Sequence, residues 1–185
     1  MITRTFPINA PVRQMRLIDP TPEMWMDYQA FLDEFIAAGE EGILYGLPDE
    51  SGDLEECILR LKYHTEGLDQ ANGCVPCSAY WLLSEEQTLL GEIHIRHRLT
   101  PALEDYGGHI GYMVRPSRRG KGHATRMLSM GLEKARDMGL ARVIITCDPE
   151  NVASACVIRK NGGRLESQSI VRDGRLTCRY RIDLE

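Results

Sequence analysis

The segment that most constrains this chain runs from His109 to Arg126. Ile110-Gly111-Tyr112-Met113-Val114 is a β-compatible run that halts at Pro116, which brings no backbone donor. Arg118-Arg119-Gly120-Lys121-Gly122 follows, and then Met127, Leu128, Leu132, Ala135 and Met138 recur at helical spacing up to Gly139. A strand, a basic glycine-rich loop and a helix start together build an anion site. Glycine lets the backbone come close to a ligand, and the first turn of a helix offers unpaired N–H groups at the positive end of its dipole. The order is neither GxGxxG nor GxxxxGK[ST], so the common nucleotide fingerprints do not describe it.

The flanking chain reads as one domain over 1–185, long enough for a real core. A strand is expected over 12–18, then a helix capped by Thr21 with Pro22 at its first position, carrying Met24, Tyr28, Phe31, Leu32, Phe35 and Ile36 on one face. A second helix is expected over 53–66 and a polar, Gly/Pro-broken loop over 69–76. Strands over 79–83 and 89–96 form a hairpin, and 98–108 reads as a loop before the organising strand at 109–114. The helix after the glycines is followed by a strand at 141–147, a helix at 151–161 and two strands at 164–171 and 176–183 around Asp173-Gly174. That order argues for a mixed, mostly antiparallel sheet with helices packed on it.

Charge is split along the chain. Residues 1–92 hold 5 Lys/Arg against 17 Asp/Glu, a net of −12, whereas 93–185 hold 17 against 10, a net of +7. A basic second half suits a polyanionic cofactor and an acidic first half suits a cationic substrate. The basic residues come without interleaved exposed aromatics, so nothing reads as a nucleic-acid surface. No apolar run reaches the ~18 residues of a membrane span, and Met1 to Pro7 lacks a signal-peptide core, so a cytoplasmic address is expected. The six cysteines are then expected as thiols. Cys74-Val75-Pro76-Cys77 has neither the second half of a zinc site nor the context of a redox motif, and no metal is expected.

Arg119-x-x-Gly122-x-Ala124, with Val114-x-Pro116 before it and a long helix after it, resembles the acetyl-CoA signature [RQ]-x-x-G-x-[GA] of the GNAT superfamily of N-acetyltransferases. The resemblance extends over nearly the whole chain and is tightest over 108–163, where Gly107 to Tyr112 and Asn151 to Gly163 are similar to an uncharacterised bacterial branch. It implies the α/β (α+β) GNAT fold: a mixed, mostly antiparallel sheet, helices on both faces, and a splayed parallel pair made by strands 109–114 and 142–147. It implies acetyl-CoA as co-substrate, with pantetheine along Met113, Val114 and Arg115. The pyrophosphate would lie in the N–H groups of Arg119, Gly120, Lys121, Gly122, His123, Ala124 and Thr125. Asn151 would bind pantetheine or serve as a helix cap.

The implied reaction is direct attack of a primary amine, from a small molecule or a peptide, on the bound thioester. Met113 N–H would receive the oxyanion. His109 leads as base, with Glu92, His94, Glu104 and Asp105 behind it. The family often has a thiolate-protonating tyrosine seven residues after the asparagine. Ile158 stands there, and Cys156 and Tyr112 are weak substitutes. That departure keeps a second reading open, a CoA-binding sensor or inactive relative. Open strand edges near the C-terminus admit a homodimer.

Overall fold

The computed structural model describes residues 14–40, 75–170 and 174–184. The helix expected over 53–66, the loop over 69–74, and Cys57 and Cys74 lie outside these. Two sheets organise the described chain. The first has the order β1 (Arg16–Ile18), β2 (Cys77–Leu83), β3 (Leu89–Arg96) and β4 (Ile110–Val114), antiparallel throughout. The second has the order β5 (Arg142–Cys147), β7 (Leu176–Asp183) and β6 (Arg164–Ile170), also antiparallel. Among the described residues four α-helices accompany them: α1 (Trp25–Ala37), α2 (Pro101–Asp105), α3 (His123–Asp137) and α4 (Val152–Lys160).

Alternation along β2 and β3 sends side chains to opposite faces, and each face buries a different helix. Trp81, Leu83, Leu89 and Met113 meet Tyr28, Phe31, Leu32 and Phe35 of α1, with Tyr28 stacked on Trp81 at a centroid distance of 4.6 Å. Leu82, Leu90, Ile93 and Ile95 meet Met127, Leu128, Leu132 and Ala135 of α3. Each large apolar side chain so buried contributes about 1.5–3 kcal/mol. Two glycines let α3 lie close on β3. A Cβ on Gly131 would stand 2.4 Å from Ile93 Cδ1, and one on Gly91 would stand 2.6 Å from the Met113 carbonyl.

Several expectations shift by a few residues. The first strand is only Arg16–Ile18 among the described residues. The Thr21 hydroxyl donates to the Glu23 carboxylate instead of capping backbone, and a 3-10 turn at Pro22–Met24 leads into α1. The stretch 98–108 contains α2, which Thr100 caps by accepting the Leu103 N–H at 3.3 Å. Its signal, Thr100-Pro101 with Glu104 in the first turn, stood in the sequence.

Among the described residues, the backbones of the two sheets are joined where β4 begins. His109 N–H donates to the Ile144 carbonyl at 2.7 Å, and Ile144 N–H donates to His109 Nδ1 at 2.9 Å. Gly107 N–H donates to Thr146 Oγ1 at 2.9 Å, and Arg96 Nη1 donates to the Gly108 carbonyl at 2.9 Å. A Cβ on Gly108 would lie 2.4 Å from the Ile144 oxygen, so only glycine permits the approach. Beyond this rivet β4 and β5 belong to separate sheets and share no ladder.

Candidate functional site

The loop between β4 and α3 is the stretch expected to receive the pyrophosphate. Pro116–Arg118 forms a 3-10 turn, and Gly120 and Gly122 both take positive φ, +75° and +82°, a region in which other L-residues are strained. A Cβ at either would meet nothing within 4 Å, so the space before them is open. Gly122 is the N-cap of α3 and no side chain caps that helix. The first-turn N–H groups of His123, Ala124 and Thr125 therefore remain for a ligand at the positive end of a 15-residue dipole.

Two carboxylates on the other side of the chain fix this loop. Glu34 accepts Ser117 N–H at 3.0 Å and lies 2.9 Å from Arg115 Nε, while Arg115 Nη1 reaches the Leu89 carbonyl at 3.3 Å. Burial opposes charge on Glu34, yet the Ser117 hydrogen bonds and the Arg115 and Arg118 cations hold its carboxyl below the usual range. Glu40 takes both terminal nitrogens of Arg119, at 2.7 and 2.6 Å, and the Arg119 hydrogen bonds hold its carboxyl low. Arg119 Nε donates to the Val114 carbonyl at 3.1 Å, and its guanidinium covers the Phe35 ring at 5.4 Å. Arg115 and Arg119, expected at the cofactor, thus spend their side-chain donors on α1 and the strand ends. Glu34 and Glu40 were missed by the sequence reading. Their signal was two acids at the C-terminal end of a helix, where the dipole disfavours negative charge unless a cation answers it.

Arg96 N–H bonds to the His109 carbonyl and Arg115 N–H to the Leu90 carbonyl. Alternation between those two bonds turns the backbone groups of Gly111 and Met113 toward β3, where Met113 pairs with Glu92. The Met113 N–H, expected as oxyanion donor, is therefore inside the ladder. The groups facing the open edge, toward β5, are those of Tyr112 and Val114. The Tyr112 hydroxyl crosses to α4, 3.0 Å from Ser154 Oγ, and burial pushes its pKa up to about 12. Asn151 caps α4, its Oδ1 accepting Ser154 N–H at 2.9 Å. Ile158, in the position of the family's tyrosine, is fully buried in the core.

The base candidates separate sharply. His109 is half-buried with Nδ1 accepting from Ile144, and burial lowers its pKa. Glu104 and Asp105 are exposed on α2. Glu92, 1% exposed, accepts Trp81 Nε1–H at 3.2 Å and is paired with His94 Nε2, itself 8% exposed. Burial disfavours the His94 cation, but the Glu92 carboxylate and the hydrogen-bonded Cys77 outweigh it and raise its pKa to about 10. In register, His94 stands opposite Gly111, which has no side chain to screen it from the β4 edge. Cys77, Cys147, Cys156 and Cys178 are thiols, not disulfides. No group of three metal-ligating side chains occurs among the described residues, and no described helix is long and apolar enough to cross a membrane.

An acetyltransferase (GNAT) domain model matches residues 16–164. The chain belongs to the GNAT family. The uncharacterized N-acetyltransferase YnaD of Bacillus subtilis is 34% identical over 89 residues, 46% of this chain. That match spans about half of YnaD, 48%. Among solved structures, RimJ of Mycobacterium smegmatis, in complex with CoA-disulfide, superposes with a TM-score of 0.64 at 22% identity, covering 91% of this chain and 81% of RimJ. YncA of Salmonella typhimurium, a putative acetyltransferase with acetyl-CoA, gives 0.59 at 17%, covering 92% and 94%. At these identities the superpositions establish the GNAT fold. The α+β architecture with helices on both faces of the first sheet agrees with that expected for the family, whereas the expected mixed sheet and splayed parallel pair are not seen: both sheets are antiparallel throughout, and strands 109–114 and 142–147 fall in different ones.

Proposed function

We propose that this GNAT chain is an acetyl-CoA-dependent N-acetyltransferase that moves an acetyl group to a primary amine by direct attack in a ternary complex. One observation carries the reading: an uncapped α3 N-terminus behind a glycine loop with open space before it, beside the unpaired edge of β4. The backbone of Gly120 to Thr125 would take the pyrophosphate. Tyr112 and Val114 would bond the pantetheine amides as a neighbouring strand does, and β4 and β5 would be the splayed parallel pair between which it lies. Acetyl-CoA supplies the activated acyl carbon. The edge-facing N–H of Tyr112 is the oxyanion donor in this reading, one residue from the expected Met113.

Proton handling falls to Glu92 and His94. Both stand on the α1 face next to Gly111 and Met113, where an amine approaching the thioester from that side would sit. His109 lacks a vacant lone pair, because accepting the Ile144 N–H puts its ring proton on Nε2. The buried Ile158 leaves CoA to depart as a thiolate, tolerable for a thiol of pKa about 8.5. The same residue favours the alternative of a catalytically weak, CoA-binding relative. The acceptor is a small-molecule or peptide amine, and a cytoplasmic homodimer is compatible with the exposed β6 edge.

Gly122→Val tests the cradle. A branched residue at φ +82° strains the loop and fills the open space, so acetyl-CoA affinity is expected to fall at least about tenfold, or 1.4 kcal/mol. Unchanged affinity by calorimetry, in a variant that melts cooperatively, refutes the cradle. CoA thiol release over polyamines, amino acids, aminoglycosides and peptide N-termini separates enzyme from sensor, since a sensor binds acetyl-CoA and releases none.

A further inference from the structure

Between the β2–β3 turn and the first turn of α3 lies a cavity of about 260 Å³. The turn contributes Glu85, Glu86 and Thr88, the glycine loop contributes Arg118 and His123, and Met15 and Leu90 supply apolar surface. The turn is held from within. Ser84 Oγ accepts the N–H groups of Glu86 and Thr88 at 3.1 Å each, Ser84 N–H donates to the Thr88 carbonyl at 2.9 Å, and Gln87 is fixed at a φ of +66°. The acidic side chains therefore stand on a set backbone. On the basic side, His123 opens α3, and its Nδ1 is shielded from solvent with no hydrogen-bond partner among the described residues. A shielded polar atom without a partner is costly, and a ligand that bonds it recovers that cost. Burial, followed by the Lys121 and Arg118 cations, lowers the His123 pKa, so the ring is neutral at pH 7 and can present Nδ1–H to an anion.

For Arg118 and Glu85 no ion pair is found among the described residues, although both line this space. Opposite charges that share a cavity without joining across it suit a ligand that carries both. We infer that the cavity is a second ligand site, which takes the zwitterion of a small apolar α-amino acid. Its ammonium group meets the carboxylates of the turn, its carboxylate meets Arg118 and His123, and its side chain lies on Met15 and Leu90. The volume is below the roughly 300–1,000 Å³ of sites for drug-sized molecules, which fits an occupant of this size.

The site is distinct from the place of acyl transfer. The first sheet has the order β1-β2-β3-β4, and the proposed pantetheine edge is the outer side of β4. The cavity extends from Leu90 on β3 the other way, to the β2–β3 turn and to Met15 just before β1. The two sites nevertheless share Arg118 and His123. A bound carboxylate answers Arg118 and leaves one cation fewer for the phosphates, so the amino acid weakens cofactor binding by a few-fold, and the cofactor weakens the amino acid by the same factor. This coupling rests on the cofactor reading, whereas binding of the amino acid does not.

Calorimetry of the full chain with L-leucine, L-valine and L-methionine tests the site. At least one should bind with a dissociation constant below about 10 mM. For leucine, the two halves of the zwitterion are isopentylamine and 4-methylpentanoate, and each should bind at least about tenfold more weakly, because each leaves one charged wall unanswered. Glu85→Lys puts a cation where the ammonium would sit. In a variant that melts cooperatively it should weaken the amino acid at least about tenfold and leave CoA affinity undiminished. An amino acid held on the α1 face as acceptor would not respond to Glu85. No binding by any of the three, equal binding by either half alone, or full affinity in Glu85→Lys overturns the proposal. Titration at saturating CoA, which carries no acetyl group and allows no turnover, keeps the two readings apart. A few-fold loss that levels off is the result expected of two coupled sites, and complete loss of amino-acid binding places the cavity within the cofactor site and overturns a separate one. Amino-acid binding in a chain that does not bind CoA removes the cofactor reading alone.

Discussion

His109 carries the clearest change of role. It begins the organising strand, but its Nδ1 accepts the Ile144 N–H and its own N–H goes to the Ile144 carbonyl. A glutamine keeps an acceptor in that place. His109→Gln is expected to retain kcat within about threefold, far from the 10²-fold or greater loss that removing a general base causes; such a loss would return His109 to the proton path. The opposite expectation attaches to His94. With a pKa of about 10 it holds its proton through neutral pH and can take another from an amine only once deprotonated. With an acceptor amine of low pKa, so that the amine does not titrate in the range, kcat should keep climbing toward pH 10. A plateau reached near 6.5 points to an ordinary histidine instead. Stability should move the other way. Below the unfolded value of 6.5 both states bind the proton and the His94–Glu92 contribution is complete. Between 6.5 and about 10 the folded chain binds more, so stability falls as pH rises and the contribution is lost above that window. Urea midpoints at pH 6, 8 and 10 in wild type and His94→Gln would expose a slope that only the wild type carries.

At the scale of elements, the glycine loop and the helix after it were legible because their cause is local. Two glycines at positive φ, a proline stop and the 3.6-residue stripe of α3 lie within one stretch of chain. So were β2, β3, β5, β6 and β7, each a run with strand-like periodicity. The contacts that hold this loop were not, because they join distant residues. Arg119 and Glu40 are 79 apart in sequence, and Ser117 and Glu34 are 83 apart. Whether Met113 or Tyr112 offers its N–H to the open edge depends on strand parity, set by the Arg96–His109 and Leu90–Arg115 bonds, and one residue of slip reverses it. The Arg119–Glu40 clamp yields its own test. The pair is partly exposed, so its direct worth to folding is only about 0.2–1 kcal/mol. Its use is to hold the loop against α1, with the guanidinium also over Phe35. Glu40→Gln should therefore leave the melting temperature and kcat nearly unchanged while the acetyl-CoA KM rises about three- to tenfold, up to 1.4 kcal/mol. Equal losses in kcat and stability would mean that Glu40 supports the fold in general and not the cradle.

Across the whole molecule, the acidic first half and the basic second half meet at that same loop. The +7 of residues 93–185 overstates what a phosphate would feel. Arg115 is tied to Glu34 and Arg119 to Glu40, and on β7 Arg179 and Arg181 both face Glu166. Each of these arginines is answered by an acid before any ligand arrives. Around the cradle the exposed cations are Arg118, Lys121 and Arg126, for which no ion pair is found among the described residues. Attraction of the cofactor should accordingly depend on three charges. Screening acts over about 10 Å at 0.1 M salt and about 3 Å at 1 M, so exposed phosphate contacts weaken steeply across that range while the buried Arg115 pair is little affected. Acetyl-CoA affinity is expected to drop about tenfold between those salt concentrations. Lys121→Gln and Arg118→Gln should each flatten the salt dependence as well as lower affinity at low salt. A 3′-dephospho analogue would tell whether the slope belongs to the ribose phosphate or to the pyrophosphate in the glycine loop. If affinity does not change with salt, backbone N–H groups alone hold the cofactor, and the charge split along the chain serves some contact other than this one.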